Sequence, residues 1–217
     1  MSRKIVFIVS VVFLLLVFVG GALLYQSEKV QRWGKLIGQN QAVLASLHSP
    51  SLGPETAKVH IVEFLDPACE TCAAFYPQVK KMMAANPDRI RLSVRHLPLH
   101  NGSLEVVKIL EASRKQGKYW PTLEAVLANQ SRWVSNHTAR PEMVWEVLGG
   151  VGLNLEQLRA DMNSPDVARN LEQDRSDAKA LNVTMTPEYF VNGRPLPDFG
   201  LAQLQALVRD ALQTAYR

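Results

Sequence analysis

The sequence predicts an α/β domain that is split by an all-helical insertion and preceded by a single N-terminal transmembrane helix. Three observations predict it. An uncharged apolar run of 20 residues, Ile5–Leu24, lies near the start of the chain. Strand character at residues 58–65 and 89–95 flanks a helical stretch, and a third strand returns only at Glu188–Val191. Residues 103–181, between these parts, carry repeated helix start and stop signals with short connections. The order strand–helix–strand, helical block, strand–turn–helix is that of an interrupted α/β domain.

The apolar run makes a helix of about 30 Å, the thickness of a bilayer core. A cleavable signal peptide has a shorter apolar region and a small-residue site after it. Here Gly20, Gly21 and Ala22 sit inside the run, and Leu23, Leu24 and Tyr25 continue it, which favours a retained anchor over residues 1–25. Arg3 and Lys4 lie on one side, and Lys29, Arg32 and Lys35 on the other. The very short N-terminal tail favours an amino end in the cytoplasm and an exported body.

A composition of 47% hydrophobic and 20% charged residues excludes disorder. Setting residues 1–24 aside lowers the formal net charge from +4 to +2. No dense Lys/Arg stripe interleaved with aromatics is present, so no nucleic-acid partner is expected.

Residues 26–55 read as a mostly polar helical stalk and linker. The stalk has a sparse apolar stripe (Val30, Trp33, Ile37, Val43, Leu44), and the linker His48–Ala57 is rich in Pro and Ser. Residues 56–102 form the first half of the α/β domain. Lys58–Leu65 is an apolar, β-branched strand ended by Asp66-Pro67, Thr71–Ala85 a helix and Arg89–Arg95 a second strand. In the insertion, residues 103–181, Ser103 is placed to cap a helix that ends at Gly117. Pro121 and Pro141 occupy first-turn positions, Asn154 caps a short helix, and Ser164-Pro165 opens a helix to about Leu181. The second half, residues 182–217, holds the returning strand and a tight turn at Asn192-Gly193. A last amphipathic helix follows over 200–215, with Leu201, Leu204, Leu207, Val208, Ala211 and Leu212 on one face.

The chain has two cysteines, Cys69 and Cys72, at the junction of the first strand and helix. Positions i and i+3 of a first helical turn face the same way, so the sulfurs come within bonding distance. The helix N-terminus stabilises a thiolate on the first. A structural disulfide here closes too small a loop to contribute much stability. A four-thiolate zinc site is excluded by count. A two-Cys, two-His site has only His96 and His100 at metal-ligand spacing, and these flank Pro98. The motif therefore reads as redox-active, with no metal site and no cofactor beyond the disulfide itself.

Glu63 lies six residues before Cys69 in a strand that is otherwise apolar. It is either on the exposed face of an edge strand or a buried proton acceptor beneath the second cysteine. Pro77 marks either a helix kink or a later helix start. Thr186-Pro187 precedes the returning strand, as a strand-start proline or a cis bond that exposes backbone to a peptide. His96 and His100 read as loop or packing residues. Trp120, Trp133 and Trp145 read as core, and Met185 as an apolar gap filler rather than a soft metal ligand.

Together, Val62–Cys72 (VEFLDPACETC), Pro77 and Met185–Gly193 (MTPEYFVNG) resemble the thioredoxin superfamily, and more closely its DsbA-like branch of exported thiol–disulfide oxidoreductases. The resemblance covers about residues 56–217 and implies a thioredoxin fold with a helical insertion. It makes Cys69 the exposed nucleophile, Cys72 its buried partner, Glu63 the buried acid and Pro187 a cis-proline opposite the disulfide, preceded by Thr186. It implies exported protein substrates and a membrane redox partner, DsbB-like or a reductant. The expected location is the bacterial inner membrane, single-pass, with the catalytic domain in the periplasm. One departure stands out. Strongly oxidising members carry Pro-His between the cysteines, and this chain carries Glu70-Thr71, so a less oxidising couple is expected. Reduction or isomerisation of disulfides at the same site is the alternative, and a non-enzymatic thiolate metal carrier is a further one.

Overall fold

The computed structural model describes Phe18, residues 34–45 and residues 48–217. Apart from Phe18, the expected anchor and the first part of the stalk lie outside the described residues. Among the described residues, no helix is long and apolar enough to cross a membrane.

The centre is a five-stranded sheet of β1 (Ser51–Leu52), β2 (Val59–Leu65), β3 (Ile90–His96), β6 (Glu188–Val191) and β7 (Arg194–Pro195), in the order β1-β3-β2-β6-β7. β2 pairs in parallel with β3 on one side and antiparallel with β6 on the other. With a neighbour on each side and layers on both faces, β2 is almost wholly apolar, as a doubly covered strand must be. Side chains alternate along a strand, so Val59, Ile61 and Leu65 enter the larger core with the cysteines. Val62 and Phe64 enter a smaller core with Leu44, Leu97, Ala178 and Phe190. Glu63 shares the parity of Ile61 and Leu65, which directs it beneath the cysteine pair.

Helix α2 (Glu70–Ala84) starts immediately after Cys69 and runs through Pro77. The later start allowed by that proline does not occur. Cys72, Tyr76 and Val79 form its buried stripe at helical spacing. The Asn192-Gly193 turn joins β6 to β7 (Arg194–Pro195), with φ of 49° and 79° at its two residues. Helix α9 (Leu201–Ala215) packs on β2 and β6 through Leu204, Leu207, Val208 and Ala211. Leu201 and Leu212, expected on the same face, stay partly exposed.

The inserted segment contains α3 (Ser103–Ser113), α4 (Tyr119–Ala128), α5 (Gln130–Trp133), α6 (Pro141–Val147), α7 (Leu155–Asp161) and α8 (Pro165–Ala180). It is not all helical. A two-stranded hairpin, β4 (Val134–Ser135) and β5 (Thr138–Ala139), interrupts it. Asn136 and His137 form its turn with φ of 49° and 57°. Asn-His lacks the glycine that makes such turns legible in sequence. Ser103 does not cap α3: Gly102 occupies the cap position, and the Ser103 hydroxyl donates to Asp66 instead. Asn154 does cap α7, accepting from the backbone N–H of Gln157.

The expected stalk and linker are also more integrated than their composition indicates. The described helical residues 34–44 (α1) dock on the sheet edge. Asn40 donates to the Gly193 carbonyl at 3.0 Å, Gln41 donates to that of Asn192 at 2.9 Å, and Leu44 is buried. Within the linker, β1 (Ser51–Leu52) pairs antiparallel with β3. A buried ion cluster holds α8 against the sheet. Arg95 of β3 donates to Asp174 and Asp177, and to the Val43 carbonyl of α1.

Candidate active site

Asp66, at the end of β2, organises the loop that carries the first cysteine. Its carboxylate is fully buried and accepts from the backbone N–H groups of Ala68, Leu99 and His100, from the Ser103 hydroxyl and from His100 Nδ1. Gln130 of α5 holds the other side, donating to the carbonyls of Pro67 at 2.7 Å and Cys69 at 3.0 Å. Cys69 is therefore fixed at the cap position of α2, where unpaired N–H groups and the helix dipole favour negative charge.

The two thiols occupy unlike settings. Both are reduced in this structure. Cys69 is not the exposed thiol that the resemblance implies: at 6% exposure it is buried under the cis-proline loop, and its thiol donates to the Thr186 carbonyl at 3.2 Å. Its pKa is drawn down to about 6, chiefly by a hydrogen bond from the Cys72 thiol, with the backbone N–H groups of Cys72 and Thr71 adding to the pull against burial. Cys72 is fully buried, and burial pushes its pKa far upward, helped by the hydrogen bond it gives to Cys69 and by the Glu63 charge.

Glu63 is at 0% exposure, so the edge-strand alternative does not hold. Tyr189, directly opposite across the β2–β6 pair, donates its hydroxyl to Glu63 Oε1 at 2.9 Å. Among the described residues, Glu63 Oε2 has no hydrogen-bond partner. Burial raises the carboxyl to about 8, and the Tyr189 hydrogen bond offsets part of that. The result is a buried carboxyl that titrates near neutral pH and whose charge is felt at the Cys72 thiol.

The Thr186–Pro187 peptide is cis and brings the Thr186 carbonyl to Cys69. Glu70 and Thr71, the residues between the cysteines, lie in the first turn of α2. Glu70 is exposed and meets His137 Nδ1 at 3.2 Å. Met185 is not a gap filler: it is 59% exposed beside the cis-proline loop. Trp133 is fully buried, while Trp120 and Trp145 pack on the core but stay partly exposed. His96 is a buried packing residue that meets the Tyr119 hydroxyl at 2.9 Å.

Sequence reasoning did not single out Tyr189, Asp66, Gln130, or the approach of His100 and His137 to Glu70. Tyr189 was accessible in principle, because the strand register sets it opposite Glu63. The others depend on contacts between distant segments. Among the described residues, the His/Cys/Asp/Glu group spaced to hold a cation is Glu70, His100 and His137, and it contains neither cysteine.

Residues 46–210 match the thioredoxin family. A thioredoxin-like oxidoreductase from Silicibacter pomeroyi is 30% identical and superimposes with a TM-score of 0.69, over 80% of this chain and 97% of that one. The thiol-disulfide exchange protein alpha-DsbA2 from Wolbachia pipientis shares the fold at 21% identity and a TM-score of 0.70, over 84% of this chain and 97% of that one. Among curated proteins, the sodium/proton antiporter NhaA of Herminiimonas arsenicoxydans is 33% identical over 170 residues, which is 76% of this chain and 26% of that protein. The chain thus spans about a quarter of the length of the curated relatives it matches. The fold is the thioredoxin fold with an added helical subdomain. With both cysteines at the start of its first long helix, the chain belongs to the thioredoxin family and carries a paired-cysteine site of the thiol–disulfide oxidoreductase kind.

Proposed function

We propose that the chain is a membrane-anchored thiol–disulfide oxidoreductase that faces the periplasm and acts on exported proteins. One observation carries the reading: of two thiols three residues apart, Cys69 sits at the helix N-terminus beside the Thr186 carbonyl, and Cys72 is sealed in the core with Glu63. That asymmetry suits a nucleophile and a resolving partner.

In the oxidising direction, a substrate thiolate attacks Cys69 Sγ of the Cys69–Cys72 disulfide. The S–S bond breaks, a mixed disulfide forms at Cys69, and Cys72 leaves as a thiolate that takes the proton held by Glu63. A second substrate thiolate attacks the substrate sulfur of the mixed disulfide, and Cys69 leaves as a thiolate. The two substrate thiolates, whose protons have gone to solvent, lose two electrons to the enzyme pair, which ends as the Cys69 thiolate and the Cys72 thiol, and Glu63 is reprotonated from solvent. Return to the disulfide needs an oxidising membrane partner of the DsbB-like class. Reduction or isomerisation runs the steps backwards. Glu63 then takes the Cys72 proton so that Cys72 resolves the mixed disulfide. Thr186 and Pro187 present backbone to the substrate strand beside Cys69.

Glu70 places an anion next to Cys69, and Thr71 stands where strongly oxidising relatives carry histidine. The proposed potential lies below that of DsbA, about −120 mV. The name of the Silicibacter relative supports the activity. The apolar N-terminal run, and the match to part of proteins named as sodium/proton antiporters, support the membrane setting.

The test is a Cys72→Ser variant. It is expected to trap thiol-reducible adducts between Cys69 and exported proteins. Adducts no more abundant than in a variant lacking both cysteines overturn the reading. Equilibration with glutathione gives the potential.

A further inference from the structure

A second site lies beside the cysteines and uses neither of them. Two distant segments meet there. The Asn101–Thr138 bridge runs in parallel, and Ala139 N–H donates to the Asn101 carbonyl at 2.8 Å. The residues preceding the bridged pair, His100 and His137, are thereby brought side by side. Their rings stack at a centroid distance of 6.0 Å. Glu70, in the first turn of α2, completes the group. One ligand atom from each of the three lies within 4.8 Å of the others.

We propose that Glu70, His100 and His137 form a binding site for a divalent transition cation of the zinc type. Two imidazoles and one carboxylate are a zinc ligand set, with a fourth position open to water. In tetrahedral geometry at Zn–N and Zn–O distances of about 2.0–2.1 Å, neighbouring ligand atoms lie roughly 3.3 Å apart. His137 Nδ1 and Glu70 Oε2 already stand 3.2 Å apart.

His100 supplies the second, independent observation. Its Nδ1 meets the buried Asp66 carboxylate at 2.7 Å, which leaves Nε2 as the free donor atom. A carboxylate behind the non-ligating nitrogen is the usual support for a metal-binding histidine, because it sets the tautomer and the ring orientation. Asp66 is itself held by three backbone N–H groups and a serine hydroxyl, so this support is rigid. Glu70 and His137 are exposed and free to close the remaining distance.

This site does not depend on the thiol chemistry, and its test removes that chemistry. The untagged full chain carrying Cys69→Ser and Cys72→Ser is titrated with Zn2+ by calorimetry. One Zn2+ per chain is expected. His137→Ala and Glu70→Gln, each added to that background, are expected to weaken binding at least about tenfold, the loss that even outer-shell substitutions produce. Both side chains are exposed, so neither change threatens folding, and circular dichroism checks it. Absence of binding, or binding unchanged by His137→Ala, overturns the proposal and leaves Glu70–His137 as an ion pair only. Failure of the oxidoreductase reading registers separately, in the adduct-trapping experiment.

Discussion

Glu63 and Tyr189 face each other across the antiparallel pair of β2 and β6, and the Tyr189 hydroxyl donates to the Glu63 carboxyl at 2.9 Å in a fully buried setting. The pairing explains how a carboxyl persists beneath the cysteines. The strand register supplies one donor, and protonation supplies the rest of what a buried acid lacks.

Stability follows the Glu63 proton. Its pKa is about 8 in the folded chain against an ordinary value of 4.5, so the folded state holds the proton more tightly. The contribution is full below pH 4.5, falls between pH 4.5 and 8, and levels off above. Glu63→Gln removes that slope. Relative to wild type, the variant is expected to gain up to ~5 kcal/mol between acid and alkaline pH. Urea unfolding of both proteins across that range checks it, and parallel pH profiles overturn it.

Tyr189→Phe keeps the ring that stacks on Phe75 and removes only the hydroxyl. The lost hydrogen bond favoured the ionised carboxyl, so the Glu63 pKa is expected to rise further. Stability at neutral pH is expected to fall by about 1–2 kcal/mol. Infrared titration of the buried carboxyl band reads the first effect and denaturant unfolding the second. An unmoved or lowered carboxyl pKa contradicts the assignment.

The thiols are expected to react unequally. With chelator present at neutral pH, iodoacetamide alkylates Cys69 in the reduced protein and leaves Cys72 unmodified until the chain unfolds. Peptide mapping by mass spectrometry reads the ratio directly. Equal labelling of both residues contradicts the unequal settings of the two thiols on which the proposed mechanism stands.

Docking of α1 on the β6–β7 turn depends on Gly193. A Cβ there would meet Gln41 Cγ at 2.5 Å and the Ile37 carbonyl at 2.7 Å, and φ is +79°. Gly193→Ala is expected to lower stability by about 1–2 kcal/mol from backbone conformation alone and to release α1 from the body. Limited proteolysis within residues 34–45 reports that release. Unchanged protection contradicts the contact.

Much of the frame was legible because periodicity and turn chemistry are local. The β2 pattern, the α2 stripe, the Asn192-Gly193 turn and the buried face of α9 each follow from a few consecutive residues. The β4–β5 hairpin was not legible, since Asn136-His137 carries no glycine. Nor was the docking of α1, whose anchors Asn40 and Gln41 are unremarkable until the β6–β7 turn reaches them. Met185 was misread for the same reason: its composition says apolar, and only the fold leaves it exposed.

The sequence by itself determined the site's chemistry: two cysteines at first-turn spacing, an acid six residues upstream, and a helix to hold them. Spacing within one segment dictates which side chains share a face, so those features needed no further folding information. Tertiary structure alone decided how each group behaves. Hydrogen bonding lowers one buried thiol while desolvation raises the other, Tyr189 partners Glu63 from a strand 126 positions away, and the Asn101–Thr138 bridge carries two histidines to Glu70. Glu70 read as an isolated anion from its neighbours in the chain. In the fold it faces imidazole, because the charge around a residue is set by what packs near it in space.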